Sequence, residues 1–247
     1  MRPPISPPTP AAPPLRPALL VDLDGPLTRL LPHPRHLELA RACAEIVTRH
    51  TGWTDFTAID HVAVMKHAGQ LSPEIEQELD ALATSSEAKA AASAVPATGA
   101  RRFLSTAKRR GYAVAVVSNN AASAVRLALT TCGLAELVDH VAAREPGGLG
   151  RLKPSPDLLE DALTALGIRT PHGRAVAREC LMFGDTVGDM TAARRAGLRA
   201  VGVTDDPERA VTLMRAGAVA VVPDLGPAIG LLDREHESRP ELVESGA

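Results

Sequence analysis

A chain of 247 residues, 45% apolar but only 2% aromatic, is long enough for a large core packed from Leu, Val and Ala. Its net charge of -2 offers no basic field to nucleic acid or an anionic membrane. Its longest apolar runs, such as "AVAVVPDL", fall far short of the ~20 residues that span a bilayer. Cys43, Cys132 and Cys180 are odd in number, lack paired spacing and lie in or beside apolar segments. Reduced, buried thiols of a cytoplasmic protein are therefore expected rather than a disulfide framework.

The chain opens on "MRPPISPPTPAAPPLRP". It has no continuous apolar centre of the kind a secretory signal needs. Its prolines cannot donate backbone hydrogen bonds, so residues 1–17 are expected to be a disordered or polyproline-like tail. "ALLV" reads as a first buried strand. From residue 29 to residue 96 no convincing strand appears. "PRHLELARACAEIVTRHTG" is helical, and "TAIDHVAVMKHAG" places Ile59, Val62 and Met65 at helical spacing. "SPEIEQELDALATSSEAKAAASAV" starts on Ser-Pro and puts Ile75, Leu79 and Leu82 on one face.

From residue 99 helices and short apolar runs alternate. "GARRFLSTAKRRG" is a helix with Phe103, Leu104 and Ala107 inward and a stop at Gly111; "AVAVVS" follows as a strand. Helix "AASAVRLALTTCG" and strand "VDHVAA" come next. "SPDLLEDALTALG" is a helix with Ser155 expected as N-cap, Pro156 at the first helical position and Gly167 past its end. Strand "CLMFG", helix "DMTAARRAG", strand "RAVGVT", helix "PERAVTLMRAG" and strand "AVAVV" complete the pattern, and residues 233–247 read as a polar tail. Unalternated apolar runs separated by helices imply strands buried on both faces of a parallel sheet. The expected fold is thus a doubly wound α/β, Rossmann-like parallel-sheet core (18–28 and 97–232) with an inserted α-helical domain (29–96).

Ligands of such sheets bind at the carboxyl ends of the strands, and four of these ends carry polar residues. Asp22 and Asp24 follow the first strand; alternate residues of an extended strand end share a side, so two carboxylates share one small space. That closeness is tolerable if a cation sits between them or one keeps a proton, and it suits a nucleophile beside a general acid/base. A turn at Asp24-Gly25 would explain Asp24 but not Asp22. Ser118-Asn119-Asn120 follows the second strand and can grip an anion, although the same residues make ordinary turns. Lys153-Pro154 precedes a helix; a surface Lys is the plainer reading. "FGDTVGDM" brings Asp185 and Asp189 to the same edge. Mg²⁺ prefers such oxygen ligands, while Asp189 has a competing use as a helix cap.

Taken together and in this order, "DLDGPL", "SNN", "KPSPD" and "GDTVGDMTAARRAG" resemble the haloacid dehalogenase-like hydrolase superfamily, its phosphoglycolate phosphatase-like branch above all. The resemblance runs from Asp22 to about Val222, and the helical insert matches that family's α-helical cap. It implies a phosphatase acting on a small phosphorylated metabolite, with Asp22 as nucleophile and Asp24 as acid/base. Ser118, Asn119 and Lys153 would bind phosphate, with Lys153 also neutralising Asp22. Mg²⁺ would be held by Asp22, Asp185, the backbone carbonyl of Asp24, and Asp189 directly or through the other ligands. Pro26 departs from the family's Thr or Val and implies altered loop rigidity rather than lost chemistry. Asp24 argues against a dehalogenase. A sugar-phosphate phosphomutase shares all four motifs, and a silent binding module with a recruiting Pro-rich tail would be free to lose these acids. In the insert, Lys66 and His67 are candidates to touch the leaving group, or else part of a solvated helix face.

Overall fold

The computed structural model of the protein describes residues 17–32, 34–54, 60–68, 71–168 and 180–237, the side chains of residues 68 and 233–237 excepted. The Pro-rich stretch before Pro17, Ile59 and residues 238–247 lie outside the described residues.

Strand β1 (Ala18–Val21) is buried at every position, as its lack of polar alternation requires. Three helices follow. α1 (Arg35–Thr51) ends on Gly52 in the left-handed region, φ 74°. α2 (His61–Ala68) is short. α3 (Pro73–Ala91) starts at Ser72, whose hydroxyl accepts the Ile75 N–H at 3.2 Å.

The chain then alternates helix and strand: α4 (Ala100–Arg109), β2 (Ala113–Ala121), α5 (Ala122–Thr131), β3 (His140–Arg144), α6 (Asp157–Ala165), β4 (Leu181–Gly184), α7 (Val187–Ala196), β5 (Arg199–Val203), α8 (Pro207–Arg215), β6 (Ala218–Val222) and α9 (Leu225–Glu237). All strand pairs are parallel, in the order β3-β2-β1-β4-β5-β6. The order reverses at β1, and right-handed crossovers on either side of a reversal send their helices to opposite faces. α6, α7 and α8 pack side by side in one layer, while α4 packs on α9 and α5 carries α3. With so few aromatics, one edge-to-face pair, Phe103 and Phe183 with centroids 4.9 Å apart, sits within an Ala-, Leu- and Val-rich core. Cys43, Cys132 and Cys180 are buried and outside any disulfide. No helix among the described residues is long and apolar enough to cross a membrane.

The structure shifts three local expectations. Ser155 is not the cap of α6: Pro156 holds that position and the helix starts at Asp157, whose carboxylate takes the Ser155 hydroxyl hydrogen bond. α7 starts two residues before Asp189, at Val187, because Thr186 caps it. After β6 the chain adds α9, whose Leu225, Ala228 and Leu232 are fully buried; Gly226 and Pro227 had masked that spacing, and the helix runs on into residues expected as tail.

The insert is continuous with the sheet. Its buried residues join one cluster with the core, and α3 packs on both α5 and β2. Its two connections run side by side: Thr28 Oγ1 donates to the Val95 carbonyl at 2.7 Å and the Ala97 N–H to the Leu27 carbonyl at 2.8 Å.

Candidate active site

Val21 pairs with Val116 on one side and Phe183 on the other, so Asp22 emerges between the ends of β2 and β4 at the point where the strand order reverses. Its amide donates to the Phe183 carbonyl at 2.8 Å. Its Oδ1 accepts from Lys153 Nζ at 2.8 Å, and the same ammonium donates to the Val117 carbonyl at 2.8 Å and pairs with Asp189 Oδ1 at 2.7 Å. All three side chains are buried. Burial opposes the charge on Lys153, but Asp189 and Asp22 outweigh it and raise its pKa above the ordinary value. Burial lifts Asp22 well above the carboxylate range; Lys153 pulls it down, and Asp189 and Asp185 push it further up.

Asn119 fixes the Lys153 backbone: its Oδ1 accepts the Lys153 N–H at 2.8 Å and its Nδ2 donates to the Lys153 carbonyl at 3.1 Å. The Ser118 hydroxyl, also buried, donates to Asn120 Oδ1 at 2.9 Å and accepts the Asn120 N–H at 3.2 Å. The turn-forming role of Ser118 is therefore real, and it places Ser118, Asn119 and Asn120 together on the cavity wall.

On the other flank β4 delivers two acids. Asp189 divides its oxygens: Oδ2 accepts from the Thr186 N–H at 3.0 Å and hydroxyl at 2.6 Å, completing a capping box, while Oδ1 faces Lys153. The cap reading of Asp189 is thus met by Oδ2, while Oδ1 remains turned toward Lys153 and Asp22. Asp185 gives its Oδ2 and its carbonyl to one Arg209 nitrogen, each at 2.9 Å, and its Oδ1 is buried without a hydrogen-bond partner. Burial raises the Asp185 pKa to about 6, Asp189 adds to this and Arg209 opposes it. Asp22, Asp185 and Asp189 each offer an oxygen, all within 4.8 Å of one another. Hard oxygen donors, a buried orphan carboxylate oxygen and two raised pKa values fit a divalent cation such as Mg²⁺.

Two glycines make room for these acids. A Cβ on Gly25, where φ is +111°, would come within 2.6 Å of Asp185 Cγ. One on Gly184 would come within 2.4 Å of Asp189 Cβ and Cγ.

The carboxylate of Asp24 stands apart from this cluster. It turns toward the start of the insert, where Oδ1 accepts the Leu30 N–H at 2.8 Å and Oδ2 the Leu31 N–H at 3.4 Å. Burial raises its pKa, and these two amides oppose the rise. Pro26 fits its turn, because the turn's hydrogen bonds are donated by Gly25, Leu27 and Thr28.

Asp22, Lys153 and Asp185 floor a cavity of about 1270 Å³ that the insert walls with His36, Asp60, His61, Lys66 and His67, and Asp189 lies behind them. Lys66 does not simply face solvent: its Nζ donates to the Leu152 and Lys153 carbonyls, both at 3.2 Å. His67 stacks on Trp53 with ring centroids 5.4 Å apart.

Three further groups escaped sequence reasoning: Arg209 on Asp185, His61 in the cavity wall, and a buried Arg144–Glu87 pair (Nη1–Oε1, 3.0 Å). Arg144 carried a usable signal, a charge at the carboxyl end of an apolar strand, as at Asp22. Arg209 carried a weaker one, its place in the first turn of a helix that Asp206-Pro207 announces.

A doubly wound sheet with acids at its switch point and a helical insert after its first strand defines the architectural class. Residues 17–197 match the haloacid dehalogenase-like hydrolase family, and the chain belongs to that family. It is 36% identical over 115 residues to a phosphoserine phosphatase of Thermus thermophilus, covering 44% of this chain and 43% of that one. It is 30% identical over 97 residues to a phosphoglycolate phosphatase of Colwellia psychrerythraea, covering 39% of each. These matches span less than half the length of the curated relatives. A solved structure, a HAD family hydrolase from Deinococcus radiodurans with bound phosphate and sodium, is similar over 89% of this chain and 96% of that one, at 26% identity and a TM-score of 0.59.

Proposed function

We propose that the protein is a Mg²⁺-dependent phosphatase that hydrolyses a small phosphomonoester through an aspartyl-phosphate on Asp22. The observation that carries this reading is the buried Asp22 carboxylate held on Lys153 Nζ at 2.8 Å beside Asp185 and Asp189, at the floor of the cavity. The phosphatase names of the two relatives and the phosphate in the Deinococcus structure support it.

Asp22 attacks phosphorus, and the P–O bond to the leaving alkoxide breaks. Asp24, which also lines the cavity, gives that alkoxide its proton once its carboxyl group has left the Leu30 and Leu31 amides. As a carboxylate it then takes a proton from water; the hydroxide attacks the phosphorus and Asp22 leaves as a free carboxylate with inorganic phosphate. Lys153 holds Asp22 in place and offsets negative charge on the phosphoryl oxygens, while the turn at Ser118–Asn119 receives them. Asp22, Asp185, Asp189 and the Asp24 carbonyl are the residues that would hold Mg²⁺, which supplies charge neutralisation between carboxylate and phosphate. The insert closes the cavity from water and supplies contacts to the leaving group.

The test is hydrolysis of an aryl phosphate by the purified protein with Mg²⁺ or EDTA, beside Asp22→Asn. Activity that needs the metal and vanishes in the variant is expected. Turnover that survives Asp22→Asn would overturn the reading. For a site too selective to admit the aryl probe, Mg²⁺-dependent binding of beryllium fluoride at Asp22 is the expected signature.

A further inference from the structure

The end of β2 departs from its ladder where the anion-binding turn is built. Ser118 pairs with Ala143, but Ala121, not Asn119, pairs with Arg144. Asn119 and Asn120 therefore bulge out of the register, as strands do where a side chain must be re-aimed. Backbone groups at such a break need partners, and here two buried side chains supply them. Arg144 Nη1 donates to the Asn119 carbonyl at 2.8 Å, and Glu87 Oε2 accepts the Ala121 N–H at 2.7 Å.

The two side chains are locked to each other. Arg144 Nη1 and Nη2 donate to the two Glu87 oxygens, each at 3.0 Å; its Nε donates to Asp80 at 2.7 Å and its Nη2 to Thr84 at 3.2 Å. Glu87 is fully buried and Arg144 2% exposed. His61 Nε2 approaches Glu87 Oε1 at 3.4 Å from α2. Asp80, Thr84 and Glu87 all belong to α3, so the insert reaches into the backbone of the turn. Neither Arg144 nor Glu87 lines the cavity, whereas Asn119, Asn120 and His61 do.

We propose that the Arg144–Glu87 pair is a positioning device for phosphate: by holding the Asn119 carbonyl and the Ala121 amide it sets the turn whose Asn119 side chain in turn fixes Lys153 on Asp22. This rests on the phosphatase reading above. The planar Arg fork suits the task, because it grips both Glu87 oxygens side by side and still reaches Asp80, Thr84 and the Asn119 carbonyl, five bonds where a Lys ammonium has three donors. The metal acids stand on β1 and on the β4–α7 side and meet the pair through Asn119 and Lys153 at one remove, so the pair acts more on phosphate than on the cation site.

The experiment compares the wild-type full chain with Arg144→Lys and Glu87→Gln. Titration calorimetry measures Mg²⁺ alone, then inorganic phosphate in saturating Mg²⁺; circular dichroism verifies folding. Expected in both variants are Mg²⁺ affinity within twofold of wild type and phosphate affinity weakened roughly 10-fold or more. KM for an aryl phosphate should rise more than kcat falls. Folded variants that bind phosphate as tightly as wild type overturn the proposal and leave the phosphatase reading standing. Wild type that binds no phosphate overturns both. If neither variant folds, Asp80→Asn, which leaves the Arg144–Glu87 fork in place, carries the test: a smaller loss of phosphate affinity supports the proposal, and an unchanged value overturns it.

Discussion

The sheet edge and the helical insert border the same cavity, but they are held in it by different means. At the sheet edge one ammonium, Lys153 Nζ, serves three partners within 2.8 Å, and each charged member of the group is buried. Asp22 and Asp185 each stand one position past a strand end, where the backbone ladder sets their place, while Asn119 holds the Lys153 backbone and the α7 capping box holds Asp189. The α2 wall of the insert meets that group at Lys66, which rests on two carbonyls at 3.2 Å. Buried, multiply paired charges are costly to disturb, while half-exposed contacts are replaced by water at little cost. On the proposed phosphatase reading, this difference puts bond-breaking at the edge and substrate choice in the insert, and it can be broken from either side.

The largest effects belong to the edge. Asp22→Asn should reduce turnover by more than about 10⁴-fold with little change in the melting temperature, since it removes the nucleophile and relieves a buried carboxylate. Lys153→Met should cost activity as severely and also destabilise by about 3–5 kcal/mol, because Asp22 and Asp189 are left buried without their cation. Rates on an aryl phosphate and melting curves read both. A Lys153→Met protein as stable as wild type would show that the buried group is not held together as its distances imply.

Gly25→Ala should come next. The φ of +111° costs about 1–3 kcal/mol for a residue with a Cβ, and that Cβ would press on the Asp185 carboxylate at 2.6 Å. Calorimetry should find Mg²⁺ binding weakened together with stability. Loss of stability with metal affinity intact would separate the glycine from the acids it faces.

A third effect follows from protons. Asp185 titrates at about 6 rather than its ordinary 3.8, so between these values the folded state binds more protons than the unfolded state. Stability of the metal-free protein therefore falls as pH rises through this window, and Asp22 shifts in the same direction. The Asp185 contribution is ~3 kcal/mol at most. A bound cation removes the reason for the shift, so the rise in melting temperature from EDTA to Mg²⁺ should be larger at pH 7.5 than at pH 5. An equal rise at both values would mean that the three acids do not share one cation.

The same division decides what could be read from the sequence. The sheet was legible because "ALLV", "AVAVV" and "LMFG" are apolar without alternation, and the acids because Asp22 and Asp185 interrupt such runs where a core strand has no use for charge. Only the structure says that Gly25 and Gly184 each face an acid. The partnerships were not legible. Arg144 and Glu87 are 57 positions apart, and periodicity assigns a residue to a face without saying what it meets there. Asp24 is the instructive case: strand alternation placed it beside Asp22, yet Gly25 and the turn to Thr28 bring the Leu30 and Leu31 amides within reach, and its carboxylate goes to them instead. Ser155 shows the local version, where a serine before a proline signals a cap but the hydroxyl finds Asp157 first.

The smallest effect should come from the insert's own contact with the edge. Lys66 is partly buried, and burial together with Arg195 lowers its pKa. Its ammonium rests on the carbonyls of Leu152 and Lys153 without touching any carboxylate of the edge cluster. Lys66→Met keeps the aliphatic stem and removes only those two bonds. KM for the aryl phosphate should then change a few-fold, with kcat, Mg²⁺ affinity and melting temperature close to wild type. The carbonyl of Lys153 keeps its bond from Asn119 Nδ2 at 3.1 Å, so the loop has a second anchor. A fall in kcat approaching that of Asp22→Asn would instead place the insert within the bond-breaking steps, and the contrast between the two walls of the cavity would not hold.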